Sequence, residues 1–457
     1  MESLLSANED ILIPPLSLGL KPGAAYIQNR RQASVFSSIN QASPQGVQNI
    51  RFNLSSTVEW CDPASVIISF DCVNDSDTAP LHPATVGAHC LFERYQCKMA
   101  ASSIEDIEHY GRTCELFTQL IPAEKRLNEG MLGFGTKPAT VAFANEAAPT
   151  NAEVVAALKS INSNDPFKGN HQVEEIPAGG KRKVYMKLPL SGIFTAQQKY
   201  LPLWSLGAGG VEVMLSLAPA ADAVTSNYGG VAKSTTYHLE NIVMQADMIT
   251  IDSALQEQYS RNLMEGGSLM LHTKLWDCTL MYLPTQNGGN FDVSLAKSLS
   301  RLATAFFSFS EELTDAQIAA GEQYVNTFRM YDAAKENIES HVTIGSKRFP
   351  EFAVKGVAGH FWRFVSALGI AKSLPHTVNV DVEGYKTNSF CIATDFEATP
   401  MVASSGVNTQ GGQEIALHVK SMIGADGTQP NLLRRCYACL HYEAIVELRA
   451  TGASLLT

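Results

Sequence analysis

The chain has 457 residues, 45% of them hydrophobic and 17% charged, with 34 Lys and Arg against 45 Asp and Glu for a formal charge of −11. That balance excludes a disordered polyelectrolyte, and the length exceeds what one hydrophobic core sustains, because single cores stop growing near about 250–300 residues. Net acidity argues against a nucleic-acid surface, which needs clustered cations; the densest basic runs, Lys181-Arg182-Lys183 and Arg30-Arg31, read as solvated turns.

Residues 1–45 read as an N-terminal arm. Ile11-Leu12-Ile13-Pro14-Pro15 is apolar but broken by proline, which cannot serve an inner strand. An extended apolar terminus without a core of its own docks on its own body or on a neighbouring subunit. Those five residues are therefore the candidate intersubunit contact. The opening Met1-Glu2-Ser3 leads into no apolar leader segment, so a secretory signal is not expected. No run of about 18 apolar residues predicts a membrane-spanning helix. The nine cysteines are accordingly expected as reduced thiols.

From Asn49 the strand signals become dense. Ile50, Phe52 and Leu54 alternate with Arg51, Asn53 and Ser55, the period-two mark of a half-buried strand. Residues 65–70 predict a buried strand, closed by Asn74-Asp75-Ser76-Asp77, a loop that lacks the glycine and glutamate of a calcium-binding EF-hand loop. After a strand over 89–99, Ser102-x-x-Glu105 has the form of a capping box and predicts a helix whose stripe carries Ile104, Ile107, Cys114 and Phe117. A second box at Thr150-x-x-Glu153 predicts a short helix to Leu158. Strands follow over 184–190, 211–217 and 239–251, the last with Ile242, Met244, Ala246 and Met248 on one face.

Ser253-x-x-Gln256 predicts a linker helix ended by Gly266-Gly267. Beyond it come strands over 268–280 and 303–309, a helical insertion from Thr314 and a strand over 338–344. A helix over 359–368 is expected with Phe361, Phe364, Val365 and Leu368 inward. Strands over 378–382, 390–394, 415–419 and 437–448 complete the chain. In the last, Ala438, Leu440, Tyr442, Ala444, Val446 and Leu448 point inward, and Glu443, Glu447 and Arg449 outward.

The two halves repeat one order. In each, a strand leads through a turn into an aromatic amphipathic helix, and a Gly-Gly pair, Gly209-Gly210 and Gly411-Gly412, precedes a strand followed by the longest strand of the half. The order predicts a duplicated eight-stranded sandwich with helices in its loops. The expected division is 46–252, a linker at 253–267, and 268–457.

Catalytic and metal signatures are missing from the sequence. No His-x-His pair serves a cupin-type metal site, and no GxSxG or HExxH occurs. His82, His89, Cys90 and Cys97 have the wrong spacing for joint ligation and read as structural. Cys436-x-x-Cys439 would point its thiols to opposite faces of a strand. Gly133-Phe134-Gly135 and Gly179-Gly180-Lys181 lack the remaining residues of phosphate loops, and His441 with Glu443 reads as a solvated outer face. Catalytic, metal and cofactor sites are all expected to be absent. Low charge, abundant small residues and four scattered tryptophans suit a surface that copies of the chain cover.

Residues 50–54 with the Asp62-Pro63 turn and 66–70, Leu188-Pro189-Leu190-Ser191-Gly192 with Lys199-Tyr200-Leu201-Pro202-Leu203, Ile344-Gly345-Ser346-Lys347-Arg348-Phe349-Pro350, and the closing strand 437–449 resemble the double jelly-roll major capsid proteins of icosahedral DNA viruses. The resemblance covers the chain from about residue 45 onward as pattern and architecture. It implies an all-β chain of two consecutive eight-stranded jelly-roll β-sandwiches and a homotrimer whose six barrels form a pseudo-hexameric capsomer. It implies further a virion location without secretion, an arm reaching a neighbour, a minor capsid protein or an internal membrane, no direct nucleic-acid binding and no catalytic residues. A single jelly-roll capsid protein with a projecting domain and a carbohydrate-binding β-sandwich are the alternatives.

Overall fold

The computed structural model describes residues 27–118, 130–138, 171–195, 199–225, 227–228, 231–283, 289–311, 337–370, 385, 390–397, 406–411, 413–422 and 433–456. The main strands of the first half are β1 (Ile27–Phe36), β2 (Asn49–Leu54), β3 (Trp60–Asn74), β4 (Phe92–Met99), β5 (Ser102–Glu108), β6 (Lys181–Met186), β7 (Val211–Leu217) and β8 (Tyr237–Ile251). They form two antiparallel sheets ordered β1-β8-β3-β6 and β2-β7-β4-β5. The second half supplies β9 (Leu269–Tyr282), β10 (Phe291–Leu295), β11 (Leu302–Glu311), β12 (Glu339–Ile344), β13 (Lys347–Lys355), β14 (Cys391–Asp395), β15 (Ile415–Lys420) and β16 (Leu433–Arg449). Their sheets run β9-β16-β11-β14 and β10-β15-β12-β13. Strand for strand the two orders are the same, first-eighth-third-sixth and second-seventh-fourth-fifth. The chain is all-β and consists of two consecutive jelly-roll sandwiches.

Alternation places the cores. In β2, Ile50, Phe52 and Leu54 are buried while Asn49, Arg51 and Asn53 face out. In β8, Leu239, Ile242, Met244, Ala246 and Met248 are buried. Edge-to-face aromatic pairs join facing sheets, Phe70 with Phe92 at 5.9 Å and Phe291 with Phe309 at 5.8 Å, a geometry that adds to simple burial.

Four expectations are corrected. Ser102 does not cap a helix: residues 102–108 are strand β5, paired with β4 from Met99↔Ser102 to Arg94↔Glu108. Ala100 and Ala101 both take positive φ (+47° and +71°), as the two central residues of a type I′ hairpin turn do. The helix, α1 (Tyr110–Thr118), begins one residue beyond β5 and the intervening His109. Second, residues 27–36, within the range assigned to the arm, form β1, held to β8 from Ile27↔Ile251 to Phe36↔Val243. Arg30 anchors that edge strand to Asp62 of β3 and Asp247 of β8 at 2.9 and 2.7 Å, and Arg31 forms a forked pair with Glu59 at 2.7 Å. Third, the linker helix α2 (Ser253–Met264) is capped by Asp252, whose carboxylate accepts from the Ala254 amide at 3.1 Å. Fourth, Glu443 and Glu447 on β16 are buried, because the outer face of that sheet is covered. Helix α3 (Gly356–Ala367) stands where expected, begun three residues early.

The helix over 150–158, the insertion from Thr314, the strand over 378–382 and the contact residues Ile11, Leu12, Ile13, Pro14 and Pro15 lie outside the described residues. Among the described residues no helix is long and apolar enough to cross a membrane.

Candidate functional site

The most elaborate surface in the chain is the seam between the two barrels. Helix α1 projects from the first barrel onto the outer face of the β9-β16-β11 sheet of the second. Phe117 packs its ring on Trp276 at 4.6 Å and edge-on to Phe306 at 5.2 Å. One turn earlier Thr113 meets Cys439, whose sulfur lies 3.9 Å from its hydroxyl, and His109 stands edge-on to Tyr437 at 5.1 Å. Arg112 is buried between them with its guanidinium 4.2 Å over the Tyr437 ring, and it donates to the Phe309 carbonyl at 3.4 Å. A cation held on an aromatic face away from water gains more than one at the surface, and that contact opposes the burial that pulls the guanidinium below its ordinary range.

A second knot lies below. Glu105 of β5 is buried and accepts from the Tyr95 hydroxyl at 2.8 Å, the Ser191 hydroxyl at 2.7 Å, the Gly192 amide and the Ile193 amide at 3.2 Å. Burial holds the carboxyl above its usual range, and these donors pull it back. The knot fixes the 191–193 turn, and Gly192 lies directly on the backbone of β9 at Lys274. A Cβ on Gly192 would overlap the Lys274 carbonyl, so only glycine allows the approach. One further strand completes the seam. Strand β17 (Gly452–Leu456) pairs with β16, and the Ser102 hydroxyl donates to the Ala453 carbonyl. On the linker side, Trp60 donates from Nε1 to Gln256 at 2.8 Å and packs edge-on to Tyr259. The joint is therefore aromatic and hydrogen-bonded.

The residues singled out for chemistry do not converge. His82 lies 3.3 Å from the Thr225 hydroxyl, and His89 Nε2 lies 3.2 Å from a Glu115 carboxylate oxygen. The latter pair borders a cavity of about 460 Å³ lined by Val66, Val86, Met186 and Phe194. Cys90 and Cys97 are separately buried in the core. Among the described residues no group of three or more His, Cys, Asp or Glu side chains is placed to hold a metal. Cys439 faces Cys278 at 3.4 Å on the outer side of its sheet, while Cys436 sits in register with Phe309. All nine cysteines are free and buried, and burial pushes Cys61 up to about 12 and Cys90 to about 11, far from a reactive thiolate. His441 is not a solvated outer residue: it stacks on Trp276 at 4.3 Å, and burial, aided by nearby Lys274, pushes its pKa down to about 4.

The helical stripe marks Phe117 as apolar, but as part of a core face. Arg112 carried no local signal and Glu105 only the misleading one of a capping box, since their partners lie up to two hundred residues away in the chain.

No protein-family model and no curated protein sequence matches this chain. Solved structures do. PBCV-1 VP54, fitted into a reconstruction of the virophage Sputnik, is similar over 96% of this chain and 99% of its own, at 12% identity and a TM-score of 0.57. The Faustovirus major capsid protein is similar over 97% of this chain and 94% of its own, at 9% identity and 0.56. The structure from the Sputnik virophage is similar over 97% and 92%, at 10% identity and 0.52. The likeness is one of fold and spans both barrels: the chain has the double jelly-roll fold.

Proposed function

We propose that this chain is a viral major capsid protein, a structural subunit that assembles as a homotrimer whose six barrels form a pseudo-hexameric capsomer of an icosahedral shell. The observation that carries this reading is the seam: two barrels of one strand order, joined through an aromatic contact into a single building block. A rigid block with two like sides suits a tile. The same fold in the Faustovirus major capsid protein supports it.

The role is structural rather than enzymatic. Arm residues Ile11, Leu12, Ile13, Pro14 and Pro15 would reach a neighbouring capsomer, a minor capsid protein or an internal membrane, ahead of barrels bounded near 27–252 and 268–457 with the helix 253–267 between them. The virion is the proposed location, and acidity leaves genome contact to other components. Light scattering of the purified protein tests the assembly: a mass of three chains is expected, with obligate-type contacts burying well over about 2,000 Å². Electron microscopy should then show hexagonal capsomers or shells. A stable monomer that forms neither overturns the reading.

A further inference from the structure

Cys278 of β9 and Cys439 of β16 are 161 positions apart in the chain and directly opposite one another in the sheet. Their sulfurs stand 3.4 Å apart. Residues opposed across antiparallel strands have Cα atoms about 4.5–5.5 Å apart. A cystine spans about 4.4–6.8 Å between its Cα atoms. The two strands therefore need no change of register or spacing to accept a bond, and rotation of the side chains closes the sulfurs to about 2.05 Å.

The first barrel supplies what surrounds the pair. Helix α1 lies over it, with the Thr113 hydroxyl 3.9 Å from the Cys439 sulfur. Arg112 and His109 come from the same segment, and their positive charge favours a thiolate at Cys278. Contact with Cys439 and burial hold the Cys278 thiol well above its ordinary range, and Thr113 and His109 pull it back. Both cysteines are covered, Cys278 to 3% exposure and Cys439 to 2%. A charged or bulky reagent is kept out while the seam is shut. Hydrogen peroxide is uncharged and scarcely larger than water, and it enters through the small local openings that folded chains undergo.

We propose that Cys278 and Cys439 form a modification site, a dithiol that a peroxide converts to a disulfide inside the folded chain. One cysteine, as thiolate, attacks a peroxide oxygen. The O–O bond breaks, hydroxide leaves and takes up the proton that the thiol released, and the sulfur becomes a sulfenic acid. The second sulfur then attacks the first, and its own S–H proton departs with the sulfenic hydroxyl as water. Each sulfur loses one electron, each peroxide oxygen gains one, and two waters result. The product ties the first strand of the second barrel to its eighth, on the face where α1 docks. A bond closing so long a loop restricts the unfolded chain strongly.

The test uses the full-length chain, reduced, freed of reductant and exposed to hydrogen peroxide under native conditions. Alkylation in denaturant should then add seven labels instead of nine, two thiols having gone into the bond. Peptide mapping without reductant should join Cys278 to Cys439, and dithiothreitol should restore all nine labels. The oxidised chain should unfold at a higher denaturant concentration than the reduced one, and reduction should reverse that shift. Cys278→Ser and Cys439→Ser each leave one thiol without its partner, so neither variant should show an intramolecular disulfide or a shifted midpoint after the same treatment. Nine labels after peroxide, a bond joining another pair, or a loss of labels that dithiothreitol does not restore overturns the site. The reaction needs only one folded chain, so its outcome is read separately from whether the parent forms trimers.

Discussion

Gly192 stands against the main-chain carbonyl of Lys274 so closely that no methyl group fits between the barrels. Gly192→Ala therefore forces the 191–193 turn off β9 or breaks its bonds to Glu105. We expect a loss of about 1–3 kcal/mol, the usual cost of overpacking. Denaturant unfolding checks it, and an unchanged midpoint would show that the barrels slide freely.

The stacked His441 predicts a pH effect. Its folded-state pKa, about 4, lies below the ordinary value of 6.5, so it stays neutral in the fold and takes up a proton on unfolding. Its contribution is complete above pH 6.5 and is lost as pH falls from there toward 4. At about 1.4 kcal/mol per pH unit the loss reaches at most about 3 kcal/mol. His441→Phe keeps a ring on Trp276 and cannot titrate, so the stability difference between variant and parent should widen over that interval. A constant difference would refute the assignment.

Tyr442 is buried on the inner face of β16, and burial pushes its phenol above the ordinary range. Tyr442→Asp places an unpaired carboxylate in the core of the second barrel. Such a charge costs several kcal/mol, on the order of a whole domain's stability. Expression should yield insoluble chain; soluble, assembled variant would mean that the strand's faces are reversed.

All nine thiols are buried and free. A charged alkylating reagent should modify none of them in the native protein within minutes and all of them in denaturant, as counted by intact mass. Rapid native labelling at any cysteine would contradict the packing described.

The barrels were legible because alternation is local: Ile50, Phe52 and Leu54 announce their face without help from elsewhere. The β4–β5 hairpin was not, because Ala100 and Ala101 take positive φ where Asn-Gly would have signalled the turn. Ser102 and Glu105 fit a capping box by spacing alone, while strand pairing with β4 decided their conformation. In the second barrel Gly345, at φ +58°, stands openly in the corresponding turn. The helix of each half and the duplicated order could be read, but the seam could not. Arg112 on Tyr437 and Glu105 on the 191–193 turn are choices made by the tertiary fold, and no neighbour in the chain betrays them.

The hydroxyl of Ser102 binds the carbonyl of Ala453 across 351 positions of chain. That clasp closes only after strands from both barrels have formed, so it reports on the docking of one barrel against the other and not on the folding of either alone.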